Sequence, residues 1–93
     1  MQWHTYILQC SDGSYYFGHT EDVATRLMLH NAGKGANYTA RRRPVMLVNS
    51  DSFPSKPQAI AREKQLKKWS RAKKKALING DLDRLHRLAK RMS

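Results

Sequence analysis

The strongest constraint on this fold is a change of hydrophobic period near residue 20. Before it, Trp3-His4-Thr5-Tyr6-Ile7-Leu8-Gln9-Cys10 is rich in aromatic and β-branched residues and reads as a strand. Ser11-Asp12-Gly13-Ser14 centres on Asp-Gly, which is tight-turn chemistry, and residues 15–20 read as the returning strand of a hairpin. After it, Thr20 or Asp22 can cap a helix running to about Asn31, with Val23, Leu27 and Met28 or Leu29 on its apolar side. Gly33-Lys34-Gly35-Ala36-Asn37 reads as a flexible basic loop, and Pro44-Val45-Met46-Leu47-Val48 as a short third strand. Ser55 caps a second helix with Pro57 in its first turn. Ser70 opens a third, which stops at Asn79-Gly80. Asp81 opens a last amphipathic helix, with Leu82, Leu85, Leu88 and Ala89 opposite Arg84, Arg87, Lys90 and Arg91. The expected fold is α+β: a small three-stranded mixed sheet in the order β-β-α-β-α, flanked by helices, with extra basic helices at the C-terminus. Residues 1–80 form the expected domain, and the helix over 81–93 packs on it.

Charge narrows the partners. The 93 residues hold 18 Lys+Arg against 7 Asp+Glu, formally +11. Residues 1–59 hold six basic and four acidic residues, whereas residues 60–93 hold twelve and three. Such asymmetry points to a polyanion, nucleic acid before an anionic membrane surface. Basic residues supply affinity by neutralising phosphates and say nothing of chemistry. No apolar run approaches the roughly 20 residues that span a bilayer. The first residues lead straight into a strand rather than a signal peptide, and the lone Cys10 excludes an internal disulfide or a thiolate metal cluster. Cytoplasm is the expected location.

Against this background Glu63 stands out as the one carboxylate between Asp51 and Asp81. It falls three residues after Ile60 and three before Leu66, on the apolar stripe of its helix, which continues to Trp69. A carboxylate at a core edge needs a partner. A hard metal ion facing a phosphodiester is one; a local ion pair with Arg62, Lys64 or Lys67 is the commoner one. Tyr6 and Tyr16 lie on paired strands, and Arg26 and His30 share a helix face at i, i+4. Phosphodiester hydrolysis needs an activated water, charge stabilisation and relief of the leaving oxygen. Tyrosine, arginine, histidine and a metal-binding carboxylate supply these together. Singly, each has an ordinary reading: a cross-strand aromatic pair, a surface arginine, a half-buried helix histidine.

In order along the chain these residues resemble the GIY-YIG nuclease family, particularly its small stand-alone members. Tyr16-Phe17-Gly18 is close to the second signature, and His4-Thr5-Tyr6 keeps only the tyrosine of the first. Asp22-Val23-Ala24-Thr25-Arg26-Leu27 followed by His30-Asn31 is similar to the helix bearing the family's arginine. Asn31 to Ala36, Tyr38-Thr39 and Arg43-Pro44-Val45 resemble the loop and third strand, and Arg62-Glu63 with Leu66-Lys67 the helix with the metal-binding glutamate. The resemblance covers roughly residues 3–78. It implies that Tyr6, assisted by Tyr16, orients or deprotonates the attacking water and that Arg26 binds the scissile phosphate. It implies further that His30 supports a proton relay and that Glu63 holds a single, weakly bound Mg²⁺ or Mn²⁺. Gly18 would let the backbone approach substrate, and His19 stands where several members carry a lysine. The asparagine many members carry about a dozen residues past the glutamate is replaced here by Arg71-Ala72-Lys73-Lys74-Lys75.

The expected function is a metal-dependent endonuclease that cuts DNA, with RNA as the further substrate, guided by structure more than by sequence, in repair or recombination. Gly18, His19, Lys34, Arg41, Arg42, Lys67, Lys68, Arg71 and Lys74 are the expected nucleic-acid contacts. Oligomeric state is open, with a monomer sufficient. The alternatives are a catalytically silent nucleic-acid-binding module and a basic interaction subunit of a nucleoprotein assembly.

Overall fold

A computed structural model describes residues 2–81. The hairpin forms as its composition predicts: β1 (Trp3–Gln9) and β2 (Tyr15–Thr20) pair antiparallel, with Tyr6 opposite Gly18 and Leu8 opposite Tyr16. In the turn, the Asp12 carboxylate accepts from the Ser14 N–H at 3.0 Å, and Gly13 takes a φ of 85° that its missing Cβ permits. Helix α1 (Val23–Asn31) starts at Asp22, whose side chain accepts from the Thr25 N–H. It ends in a Schellman motif: the Gly33 N–H reaches the His30 carbonyl and the Lys34 N–H reaches that of Leu29, with Gly33 at φ 79°.

Three expectations need correcting. The stretch after Gly35 is not all loop, because residues Asn37–Ala40 form a one-turn helix, α2. The third strand, β3, spans Met46–Phe53 rather than residues 44–48. Its polar second half, Asn49-Ser50-Asp51-Ser52, is extended because it pairs with β1 as an outer strand, where polar side chains can face water. A one-residue bulge opposite Ile7 and Leu8 absorbs Val48. Finally, the sheet is antiparallel throughout rather than mixed. Its order is β2-β1-β3, so β2 and β3 run the same way but are separated by β1, antiparallel to both.

Helix α3 (Lys56–Lys67) begins after Ser55 with Pro57 in its first turn; the Ser55 hydroxyl bonds the Gln58 side chain instead of capping. Helix α4 (Arg71–Ile78) is capped by the Ser70 side chain and ends at Asn79-Gly80. The further helix expected from Asp81 lies outside the described residues.

Central strand β1 is buried on both faces from Thr5 to Leu8. Tyr6, Leu8 and Cys10 pack with Val45 and the α1 residues Val23 and Leu27. Ile7 and Phe17 pack with Leu66 of α3, Leu77 and Ile78 of α4, and Trp69, which sits at the core edge as expected. Thr5 fixes α3 to the sheet by donating its hydroxyl to the buried Ala59 carbonyl at 2.7 Å. The sheet is therefore sandwiched, with β2 and β3 as its two strand-free edges.

Candidate active site

The sequence-predicted residues fall into two groups, one on each face of the sheet. On the α1 face, the Tyr6 hydroxyl lies 2.9 Å from His30 Nε2, both groups buried. His30 is in the last turn of α1, which the Schellman motif holds in register. Its Nδ1 lies 2.7 Å from the Thr39 hydroxyl on α2, and that hydroxyl donates its one proton to the Ala36 carbonyl at 3.1 Å. Thr39 can therefore only accept from His30, so Nδ1 bears the proton and Nε2 is left as an acceptor for the Tyr6 O–H. The chain of bonds runs in one direction, away from Tyr6.

Two glycines make this packing possible. A Cβ on Gly35 would overlap the His30 ring, 2.6 Å from Cγ, and one on Gly18 would overlap the Tyr6 phenol. Gly18 thus serves Tyr6 from the facing strand, a reason distinct from the substrate approach expected of it. Sequence reasoning placed Thr39 and Gly35 in the family-like loop and gave neither a role at His30. The spacing of two glycines just past a helix end was the signal available.

Tyr16 completes the aromatic group, its ring 5.0 Å from His30 and 6.5 Å from Tyr6, and its hydroxyl makes no hydrogen bond among the described residues. Burial pushes the Tyr6 pKa above its ordinary value, while the Arg26 guanidinium beside it pulls the other way. Burial also lowers the His30 pKa, and Arg26 adds to that effect, so the ring is neutral at pH 7. Half-buried Arg26 has no carboxylate partner among the described residues.

From the opposite face α3 brings Glu63, whose side chain is 13% exposed. Oε1 accepts from His19 Nδ1 at 2.8 Å and Oε2 from Lys67 Nζ at 2.9 Å. Burial alone would raise the Glu63 pKa, but the Lys67 and His19 contacts outweigh it and leave the carboxyl below its usual range. Of the local pairs expected, Lys67 forms; Arg62 turns instead to Asp51 at 3.8 Å. His19, expected as a nucleic-acid contact, faces Glu63. The negative charge of Glu63 is the smallest of the influences that raise the Tyr6 pKa.

Among the described residues no group of three or more His, Cys, Asp or Glu could enclose a metal. The donor set fits a hydrated hard cation and nothing tighter: one carboxylate, with one lone pair left on each oxygen beyond those engaged by His19 and Lys67. The other predicted contacts divide. Arg42 and Arg71 flank the hairpin turn, on Asp12 and on the Gly13 carbonyl, and Lys74 lies over Phe17. Lys34, Arg41 and Lys68 are exposed, and no hydrogen bond or ion pair joins them to the group.

The GIY-YIG catalytic domain pattern matches residues 2–76. The chain belongs to the GIY-YIG family. This is a nuclease family, and the match spans both faces of the site just described. The GIY-YIG chain is 53% identical over 75 residues to a UPF0213 protein of Halobacterium salinarum, covering 81% of this chain and 97% of that one. It is 46% identical over 79 residues to a UPF0213 protein of Streptococcus pneumoniae, covering 85% and 80%. Two solution NMR structures share this GIY-YIG architecture. The UPF0213 protein of Bacillus halodurans has a TM-score of 0.55 at 47% identity, covering 85% of this chain and 84% of that one. A protein from E. faecalis has a TM-score of 0.58 at 36% identity, covering 88% of each. No helix among the described residues is long and apolar enough to cross a membrane.

Proposed function

We propose that this protein is a metal-dependent endonuclease that hydrolyses phosphodiester bonds in DNA, with RNA as a second substrate. The observation that supports this best is Arg26: a half-buried guanidinium with no carboxylate partner among the described residues, beside a directed Tyr6–His30 hydrogen bond. A half-buried guanidinium without a carboxylate partner keeps donors available for an anion, and a substrate phosphate supplies one.

In this reading water binds against the oxygens of Tyr6 and Tyr16. As its oxygen attacks phosphorus, one water proton passes to the Tyr6 oxygen while the Tyr6 proton passes to His30 Nε2. The imidazolium keeps its Nδ1–H on Thr39. Tyr6 need never exist as a free phenolate, which its burial disfavours. Arg26 binds the non-bridging oxygens as charge accumulates on them. Glu63 would hold a divalent cation that, when bound, neutralises the leaving oxygen. Lys67 and His19 hold the carboxylate ionised and oriented until then. The small domain leaves little surface for base readout, so cutting follows the structure of the nucleic acid. A role in repair or recombination suits such an activity.

The test is cleavage of labelled linear, single-stranded and branched DNA with Mg²⁺, Mn²⁺ or EDTA, comparing the unmodified protein with Glu63→Ala. Metal-dependent cutting that vanishes in the variant is expected. Salt-sensitive binding without cutting would favour the silent binding module instead.

A further inference from the structure

The edge of β2 continues past the reacting groups toward the hairpin turn. There Tyr15, Tyr16, Phe17, Tyr38 and Lys67 wall a cavity of about 190 Å³. Its walls come from both faces of the sheet: Tyr16 and Tyr38 from the α1–α2 side, Tyr15 and Phe17 from the α3–α4 side. The hydrolytic scheme uses none of Tyr15, Phe17 or Tyr38. Tyr38 is 39% exposed although the adjacent Thr39 is fully buried. The one-turn helix that anchors Thr39 under His30 therefore sends Tyr38 outward to line this slot, with its ring centroid 6.3 Å from that of Tyr16.

Cations surround the aromatic walls. The Arg42 guanidinium lies 3.8 Å from the Tyr38 ring centroid, Arg71 4.9 Å from that of Tyr15, and Lys74 Nζ 4.9 Å from that of Phe17. Lys67 adds a fourth positive charge. Aromatic walls alone would suit any apolar side chain. Walls flanked by four cationic side chains, of which Arg71 and Lys74 have no carboxylate partner among the described residues, suit a planar π-faced group on an anionic backbone. That group is a nucleotide. A base inside a duplex stack offers only its edges to a protein, and its faces are covered by neighbouring bases. Only a base already out of the stack can lay its face on these rings.

We infer that the Tyr38 slot takes one unpaired nucleobase beside the scissile phosphodiester. The substrate class is then single-stranded, flapped or bulged nucleic acid rather than perfect duplex. This rests on reading the neighbouring site as a nuclease.

Equilibrium binding of the full chain in EDTA tests the slot without cleavage. The probes are three oligonucleotides carrying 2-aminopurine at one position: single-stranded, bulged in a duplex at that base, and fully paired, all at one salt concentration. Stacking of one base predicts about 5- to 150-fold tighter binding of the first two than of the paired probe. Their 2-aminopurine fluorescence should be quenched. Tyr38→Leu, which keeps bulk and loses the aromatic face, should erase both the preference and the quenching; Tyr38→Phe should retain them. Equal affinity for paired and bulged probes would overturn the inference, as would equal weakening of all three by Tyr38→Leu. Because EDTA removes metal-dependent cutting, a failed cleavage assay leaves this readout intact, and a failed preference leaves the nuclease reading intact.

Discussion

At the residue scale, Thr39 sets the sense of the Tyr6–His30 bond, and it can be removed without changing side-chain shape. Thr39→Val leaves the buried His30 Nδ1–H without an acceptor, so it should cost about 1–3 kcal/mol in chemical denaturation. It should also let the ring adopt the other tautomer, visible in the ¹⁵N shifts of His30, and slow cleavage. Thr39→Ser should restore all three. Gly18→Ala pushes a methyl into the Tyr6 phenol and should destabilise by about 1–3 kcal/mol. The lowered His30 pKa has a defined pH consequence. The unfolded chain takes up this proton near 6.5 and the folded chain only at lower pH, so the stability from neutral His30 is complete above 6.5 and lost as pH falls through its folded value. Thermal midpoints from pH 7.5 to 5 should fall more steeply for the unmodified protein than for His30→Gln. Glu63, also lowered, acts in a separate window below 4.5.

At the element scale, α3 delivers both Glu63 and the lysine that engages it one turn later. Lys67→Ala removes a positive charge 2.9 Å from the prospective metal ligand. It should strengthen Mn²⁺ binding measured by electron paramagnetic resonance without nucleic acid, by several-fold. How much was legible in the sequence divides along element type. The hairpin, α1, α3 and α4 announced themselves by period, caps and turn residues, so Tyr6, Tyr16, Arg26, His30 and Glu63 could be placed on faces beforehand. The one-turn α2 is too short for any periodicity, so Tyr38-Thr39 could be matched as part of a loop but not given roles. The polar half of β3 was hidden for another reason: its extension comes from ladder bonds to β1, which local composition does not encode. The mixed sheet was expected because nothing local says that β1 separates β2 from β3.

At the scale of the whole molecule, charge and topology act together. With a formal charge of +11, affinity for nucleic acid should fall steeply and linearly in log–log form as salt rises. A titration series between 50 and 300 mM KCl checks this, and a flat response would remove the electrostatic role assigned to the basic helices. The same charges bear on β2. An outer strand with open N–H and C=O groups is a template for pairing with another chain, and most proteins cover or shorten such edges. A nuclease that lays nucleic acid along Tyr16 and His19 would need this edge open. Lys67, Arg71 and Lys74, set beside the strand on α3 and α4, would oppose pairing with a second copy by like-charge repulsion. Neutralising all three should therefore produce self-association through β2 and, with it, a protein that occludes its own reactive edge.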